Sequence, residues 1–176
     1  MCGRYYVDDE TSREIEKIVR KLDQRLKIEH GQDIHPSESA VVFTKECREV
    51  AARQMQWGFP GFQGKGLLIN ARAEAILDKK TFRESVLHRR CVIPARHFYE
   101  WSKNKEKYTF QSPKQDATLF MAGCYQIYNG QNCFVILTTQ ANASVAPVHE
   151  RMPLLLERQE LEDWIMEDAA VEFILA

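Results

Sequence analysis

Hydrophobic residues recur along this chain mostly in short β-prone runs. Runs rich in β-branched and aromatic residues, separated by turn residues, are typical of strands. The predicted strands are residues 4–7, 40–44, 50–57, 67–70, 91–93, 97–101, 107–111, 119–128 and 133–139. Between the last two, the stretch Tyr128-Asn129-Gly130 predicts a hairpin, because Asn and Gly tolerate the positive φ angles of a tight turn.

Helical spacing of apolar residues predicts three helices, at residues 12–29, 81–88 and 158–168. The first two begin with a capping box, a threonine followed three residues later by a glutamate. The capping pairs are Thr11 with Glu14 and Thr81 with Glu84. The residues expected to face inward are Ile15, Ile18, Val19, Leu22 and Leu26 in the first helix and Leu161, Trp164 and Ile165 in the third. Many strands and few helices favour an α+β fold with a largely antiparallel, barrel-like pair of curved sheets.

Composition narrows the class of protein. The 176 residues are 44% hydrophobic and 28% charged, which suits one globular domain and excludes a collagen-like or disordered chain. No apolar run approaches the roughly 20 residues that a membrane helix needs. The net charge is −1, but residues 147–176 alone carry −6, so residues 1–146 carry +5. A basic body favours an anionic partner.

The cysteine pattern predicts neither disulfides nor zinc. The number of cysteines is odd and no two of them have CxxC spacing, so we expect the cysteines to pack in the core. The cysteines are Cys2, Cys47, Cys91, Cys124 and Cys133. Because the N-terminus also lacks the apolar segment of a signal peptide, we expect a reducing, cytoplasmic location, and we expect no metal.

Cys2 is the first candidate for chemistry. Removal of Met1 would leave a 1,2-aminothiol, whose α-amine has a reference pKa of about 7.7–8.0 and is partly neutral near pH 7. Such an amine attacks an aldehyde to give an imine, and the adjacent thiol then closes a thiazolidine ring. On position alone the signal is weak, since many chains begin Met-Cys for no chemical reason.

Three further residues fit proton transfer and positioning. In the run HFYEW, period-2 alternation places Glu100 on the face of Phe98, where desolvation should raise the pKa of its carboxyl group. His149 could shuttle protons, and the amide of Asn70 could orient an amine or a sugar hydroxyl. Each has a plain structural alternative: Glu100 pairs with an arginine, His149 is a structural histidine, and Asn70 ends a strand or caps a turn.

Four motifs, met in order along the chain, carry a resemblance to a known family. They are MCGRY at 1–5, INARAE at 69–74, RRCVIPARHFYEW at 89–101 and HERMP at 149–153. With Trp57-Gly58 and Ala122-Gly123, they resemble the SOS-response-associated peptidase (SRAP) family, whose members crosslink covalently to abasic sites in single-stranded DNA. The resemblance extends to about residue 156.

The resemblance implies a β-rich fold with a basic groove, in which Cys2 is the crosslinking nucleophile beside Asn70, Glu100 and His149. Positions similar to the family's DNA contacts are Arg4, Trp57, Arg72, Arg90, Trp101 and Arg151. The two tryptophans have the alternative of being buried core residues. The family is also thought to remove what precedes its own cysteine. The chain stops before a further strand usual in the family, so we expect a single domain over 1–176 without that strand.

These residues predict a reaction. An abasic deoxyribose is mostly a closed hemiacetal, so Glu100 and His149 would open the ring before the Cys2 amine adds. The aldehyde is the electrophile, so no cofactor is expected. The expected partner is single-stranded DNA, not a membrane. We expect the protein to be a monomer associated with DNA. Two alternatives remain: a cysteine-dependent peptidase or amidohydrolase using Cys2 with His149, and a non-catalytic single-strand binding module.

Overall fold

The computed structural model describes residues 2–19, 31–114 and 117–175. The helices are α1 (Asp9–Ile18), α2 (Lys80–His88), α3 (Glu160–Met166) and α4 (Ala170–Leu175), with 3₁₀ turns at Phe62–Gly64 and Ala73–Asp78. The first seven strands are β1 (Tyr5–Val7), β2 (Gln32–Ile34), β3 (Ser39–Glu46), β4 (Glu49–Trp57), β5 (Phe59–Pro60), β6 (Leu67–Leu68) and β7 (Asn70–Arg72). The others are β8 (Arg90–Ala95), β9 (His97–Trp101), β10 (Lys107–Gln111), β11 (Leu119–Tyr128), β12 (Gln131–Gln140), β13 (Arg151–Pro153) and β14 (Leu155–Leu156).

Five strands close into a barrel in the order β12-β4-β3-β8-β11, and β11 pairs with β12 to complete the ring. Only the pairings of β12 with β4 and with β7 are parallel among the strand pairs of the described residues. Gly123 allows the wall to close tightly, since a Cβ there would lie 2.5 Å from Ile93 Cδ1 and 2.8 Å from Val135 O. The barrel confirms the predicted α+β fold class with curved, largely antiparallel sheets.

A second sheet, in the order β10-β9-β1-β2, lies beside the barrel. In it Tyr5 of β1 pairs with both Ile34 and Phe98. Apolar residues cover both faces of the barrel wall: one buried cluster packs against the helices, and the other packs against β1 and β9. Every residue of β8 is buried, which explains why the five residues after Arg90 form an unbroken apolar run and do not alternate.

The helices depart from the prediction mainly at their ends. Helix α1 begins earlier than predicted because Asp8 is the N-cap, and its Oδ1 accepts a hydrogen bond from Thr11 N at 2.9 Å. The predicted Thr11 capping box is therefore wrong, and the predicted span 20–29 lies outside the described residues. Helix α2 begins at Lys80 without a side-chain cap, so the second capping box is also wrong. The third helix is shorter than predicted, but Leu161, Trp164 and Ile165 are buried as expected.

The observed strands agree with the prediction more closely than the helices do. The predicted limits of β9, β10 and β11 match, and the hairpin between β11 and β12 turns at Asn129 and Gly130, both with positive φ. The predicted strand 67–70 is instead two short strands, β6 and β7. The prediction missed the short strands β2, β5, β13 and β14 and helix α4. Four of the cysteines are buried as expected, whereas Cys47 is exposed.

Candidate active site

Cys2 lies immediately before β1, in the buried cluster that joins the barrel to the second sheet. The side chain is fully buried among apolar neighbours that include Tyr5 and Phe98. Its thiol points at the carbonyl oxygen of Arg4, with 3.6 Å between Sγ and O. Burial, reinforced by the negative charge of Glu100, raises the pKa of the Cys2 thiol to about 12. The thiol is therefore neutral at physiological pH.

Glu100 comes from β9 and is only 2% exposed. Alternation along this strand puts its side chain on the same face as Phe98, which is also buried. Desolvation raises the pKa of the Glu100 carboxyl group, and the nearby charge of His149 opposes that rise. The predicted desolvated carboxyl group is confirmed.

Electrostatic coupling shows that three of the predicted residues share one site. The charge of Glu100 acts on the Cys2 thiol, and the charge of His149 acts on Glu100. His149 is held by the backbone, because the N–H of Arg151 donates to its Nδ1 at 2.9 Å. The carbonyl oxygen of Arg151 also lies 3.1 Å from Nδ1, so the Arg151 backbone contacts this ring nitrogen twice. The fold thus brings an N-terminal residue, a mid-chain strand and a late turn to one point.

Asn70 begins β7, which runs parallel to β12 and pairs at Ile136. Its Nδ2 lies 3.5 Å from Ile136 O, a long contact, and Ile136 belongs to the same buried cluster as Cys2. The Asn70 Oδ1 is buried and, within the described part of the chain, has no hydrogen-bond partner. A buried acceptor without a donor is costly, so this oxygen is suited to receive a donor from a ligand.

Three of the predicted DNA-contacting arginines lie around this cluster. Arg4 is partly exposed and stacks over the ring of Trp101, with 5.4 Å from Cζ to the ring centroid. Arg72 is exposed at the end of β7. Arg151 forms a bidentate ion pair with Glu74, at 2.7 and 2.8 Å, and this hydrogen bonding lowers the pKa of Glu74 to about 2. Of these three, Arg72 has the most accessible guanidinium group.

Trp57 and Arg90 are placed differently from the expectation. Trp57 is fully buried, its Nε1 donates to Ile69 O at 3.0 Å, and its ring packs on Tyr5 and Phe134. Such a ring is not available to stack on a base, so the core alternative holds for Trp57. Trp57 belongs to the same buried apolar cluster as Cys2.

Arg90 is 4% exposed and ties β8 to two helices. Its guanidinium donates to the carbonyl oxygens of Val86, Leu87 and Trp164 and to Asp168 Oδ1. All its donors therefore point into the protein. These bonds fix the arginine in place, so its position in the structure does not favour the expected DNA contact.

We expect Arg90→Ala to destabilise the fold without altering DNA affinity. Each buried group left without a partner costs roughly 1–3 kcal/mol, so several lost bonds should lower the free energy of unfolding by about 3 kcal/mol. Urea unfolding measures this change, and Arg48→Ala, at an exposed position in the β3–β4 turn, is the control. Weaker DNA binding with unchanged stability would restore Arg90 to the DNA interface.

Sequence reasoning missed the side chains that hold these residues. Asp33 accepts from Tyr99 OH at 2.8 Å and lies 3.7 Å from Arg4, so it orients a predicted DNA contact. Glu74 does the same for Arg151. The acidic residue in INARAE was a signal for Glu74, whereas Asp33 lies 29 positions from Arg4 and no local pattern marks it.

The described residues contain neither a metal-binding group nor a membrane-spanning helix. Across the described ranges, no three His, Cys, Asp or Glu side chains converge in a way that could hold a metal ion. Among the helices of the same residues, none is long and apolar enough to cross a membrane.

The architecture defines a β-barrel protein with a candidate nucleophile at its N-terminal end and a desolvated acid beside it. The chain belongs to the SOS response associated peptidase (SRAP) family, which its sequence matches over residues 1–173.

Named relatives and solved structures agree with this assignment. The chain is similar to abasic site processing protein YoqW of Bacillus subtilis, with 29% identity over 181 residues that cover 94% of this chain and 80% of the relative. It is 23% identical to abasic site processing protein YedK of Escherichia coli, over 96% of this chain and 81% of the relative. A solved protein of Bacteroides thetaiotaomicron has the same fold, with a TM-score of 0.82, 21% identity and coverage of 99% of this chain and 86% of that one.

Proposed function

We propose that this protein processes abasic sites in single-stranded DNA by crosslinking to them through Cys2. The observation that carries the proposal is the burial of Cys2 and Glu100 near one another, with the charge of Glu100 acting on the Cys2 thiol and that of His149 acting on Glu100. The curated relatives, which are named abasic site processing proteins, support the same activity.

The first step is opening of the sugar. Glu100, whose pKa is raised, keeps its proton to a higher pH than an exposed carboxyl group does. It can donate this proton to the ring oxygen of the hemiacetal. A base removes the proton from the anomeric hydroxyl, the C–O ring bond breaks, and the aldehyde forms. His149, with its backbone-fixed ring, is placed to exchange these protons.

The second step joins protein to DNA. After loss of Met1, by the protein itself or by an aminopeptidase, the Cys2 amine adds to the aldehyde and water leaves, giving an imine. The Cys2 sulfur then bonds to the imine carbon and the thiol proton passes to nitrogen, so the thiazolidine forms without any oxidant or reductant. Asn70 Oδ1 accepts from the amine or from a sugar hydroxyl and holds it in line.

The environment of Cys2 argues against a thiolate-dependent peptidase. Cysteine nucleophiles of that class work as thiolates, in surroundings that lower the thiol pKa. Here burial raises the pKa of Cys2 to about 12. Attack led by the amine does not need a thiolate, so this site favours the crosslinking reaction.

Intact-mass analysis tests the proposal directly. Protein processed to Cys2 is incubated with an oligonucleotide carrying one abasic site, with an undamaged oligonucleotide and with a peptide mixture. A protein–DNA adduct, lighter by one water than the sum of its parts, is expected only with abasic DNA. Peptide cleavage without an adduct would favour the peptidase, and neither product would favour a binding module.

We expect single-stranded DNA to bind with an affinity that falls as salt rises, because phosphate contacts release counterions. Arg72→Ala should weaken binding to every sequence alike and reduce the salt slope, since Arg72 is exposed beside the site. Fluorescence anisotropy over a salt series measures both effects, with Arg48→Ala as the control. An affinity that does not change with salt would exclude a phosphate-binding groove.

A further inference from the structure

The hairpin of β9 and β10 carries an aromatic side chain at the edge of the site. Register pairs Tyr108 of β10 with Glu100 of β9, so the two side chains lie on the same face of the sheet. Directly paired residues have Cβ atoms about 4.5–5.5 Å apart. Tyr108 is therefore the immediate cross-strand neighbour of the proposed proton donor.

Exposure along this face changes abruptly at Tyr108. The preceding cross-strand pair, Phe98 with Phe110, stacks with 5.3 Å between ring centroids and closes the face toward the core. Tyr108 is 41% exposed, and its hydroxyl makes one long contact, 3.4 Å to Glu106 Oε2.

The turn beside Tyr108 carries three lysines and one acidic residue, Glu106, whose carboxylate contacts the Tyr108 hydroxyl. Three lysines in or next to the turn that follows β9 are exposed: Lys103, Lys105 and Lys107. Lys107 lies on the opposite face of β10, with its Nζ 4.7 Å from the ring centroid of Tyr99. An exposed ring with lysines on the same hairpin is a combination by which proteins hold single strands, with bases on aromatic rings and phosphates near lysines.

We propose that Tyr108 is a positioning residue that stacks on the nucleobase next to the abasic nucleotide, with the hairpin lysines near the flanking phosphates. The inference rests on the proposed function and adds to it a way of placing the sugar. A nucleotide without a base cannot be held by stacking, so its neighbour must supply that contact. Stacking on Tyr108 would hold the baseless sugar over Glu100.

The test measures single-turnover crosslinking against protein concentration for wild type, Tyr108→Ala and Tyr108→Phe. The control is Phe173→Ala, which removes another exposed ring, on α4. Stacking is worth about 1–3 kcal/mol per base, so Tyr108→Ala should raise the half-saturating concentration roughly 5- to 150-fold. The maximal rate should change little, and Tyr108→Phe and Phe173→Ala should behave as wild type.

A second DNA series identifies the contact. Each neighbour of the abasic site, on the 5′ or the 3′ side, is replaced in turn by an unreactive baseless spacer. With the spacer on the side that stacks, wild type and Tyr108→Ala should become equal. Equal half-saturation of the two proteins on ordinary abasic DNA would overturn the inference.

A covering role for Tyr108 would give a different result. If the ring merely shields Glu100, Tyr108→Ala should shift the pH profile of crosslinking and lose the same factor on spacer DNA, which would also overturn the inference. If wild type forms no adduct with any abasic DNA, the proposed function fails. Binding of undamaged single strands then decides the stacking question, which is supported only if Tyr108→Ala binds more weakly.

Discussion

Crosslinking should disappear when the Cys2 amine is blocked, even though the thiol and the fold are intact. A retained Met1, an N-terminal tag or acetylation converts this amine to an amide, which cannot form an imine. The raised pKa of the Cys2 thiol strengthens this expectation, because a neutral thiol is a weaker nucleophile than the thiolate.

Variants at Cys2 separate the roles of the two groups. Cys2→Ser and Cys2→Ala keep a terminal amine, so both should give only a reversible imine that borohydride traps. Their adducts should be lost on dilution, whereas the wild-type ring should persist. Intact mass of the processed and blocked forms, each incubated with the same abasic oligonucleotide, provides the comparison. An equal adduct yield from the blocked form would contradict attack by the amine and point to a lysine or to the thiol alone.

Glu100→Gln is expected to slow crosslinking by roughly 10²-fold or more while leaving DNA binding unchanged. General acid–base catalysis typically contributes a factor of this size, and glutamine keeps the shape of the side chain without a transferable proton. Single-turnover rates with saturating protein measure the loss. Glu49→Gln, at the exposed first residue of β4, is the matched control. An unchanged rate would assign the proton transfer elsewhere, with His149 next to be tested.

The pH dependence gives a second readout for Glu100. Because burial raises its pKa, the wild-type rate should fall as pH rises through that value, and Glu100→Gln should lose this fall. The folded protein also holds this proton more tightly than the unfolded chain does, so the stability from Glu100 is present at low pH and is lost as pH rises. At neutral pH, Glu100→Gln should therefore be no less stable than wild type. A strongly destabilised variant would show that its slow reaction comes from unfolding.

The sequence alone was sufficient for the fold class and for most of the long strands, and it supplied the candidate site residues. Alternation in HFYEW placed Glu100 on a buried face correctly, because strand periodicity is local and Phe98 and Phe110 cover that face. Cys2, Asn70 and His149 were candidates from their residue chemistry, motif resemblance strengthened them, and their role in the reaction stays a prediction.

Tertiary structure decided which residues are accessible and which groups interact. Trp57 and Arg90 have the residue types of DNA contacts, but both are buried. Long-range packing buries Trp57. Hydrogen bonds to the carbonyl oxygens of Val86, Leu87 and Trp164 hold Arg90 inside. The pairing of β9 with β10 in the second sheet brings Tyr108 beside Glu100. Burial and electrostatic coupling depend on atoms far apart in the chain. For that reason local patterns identify the reactive residue types, whereas only the folded chain determines their pKa values and their exposure.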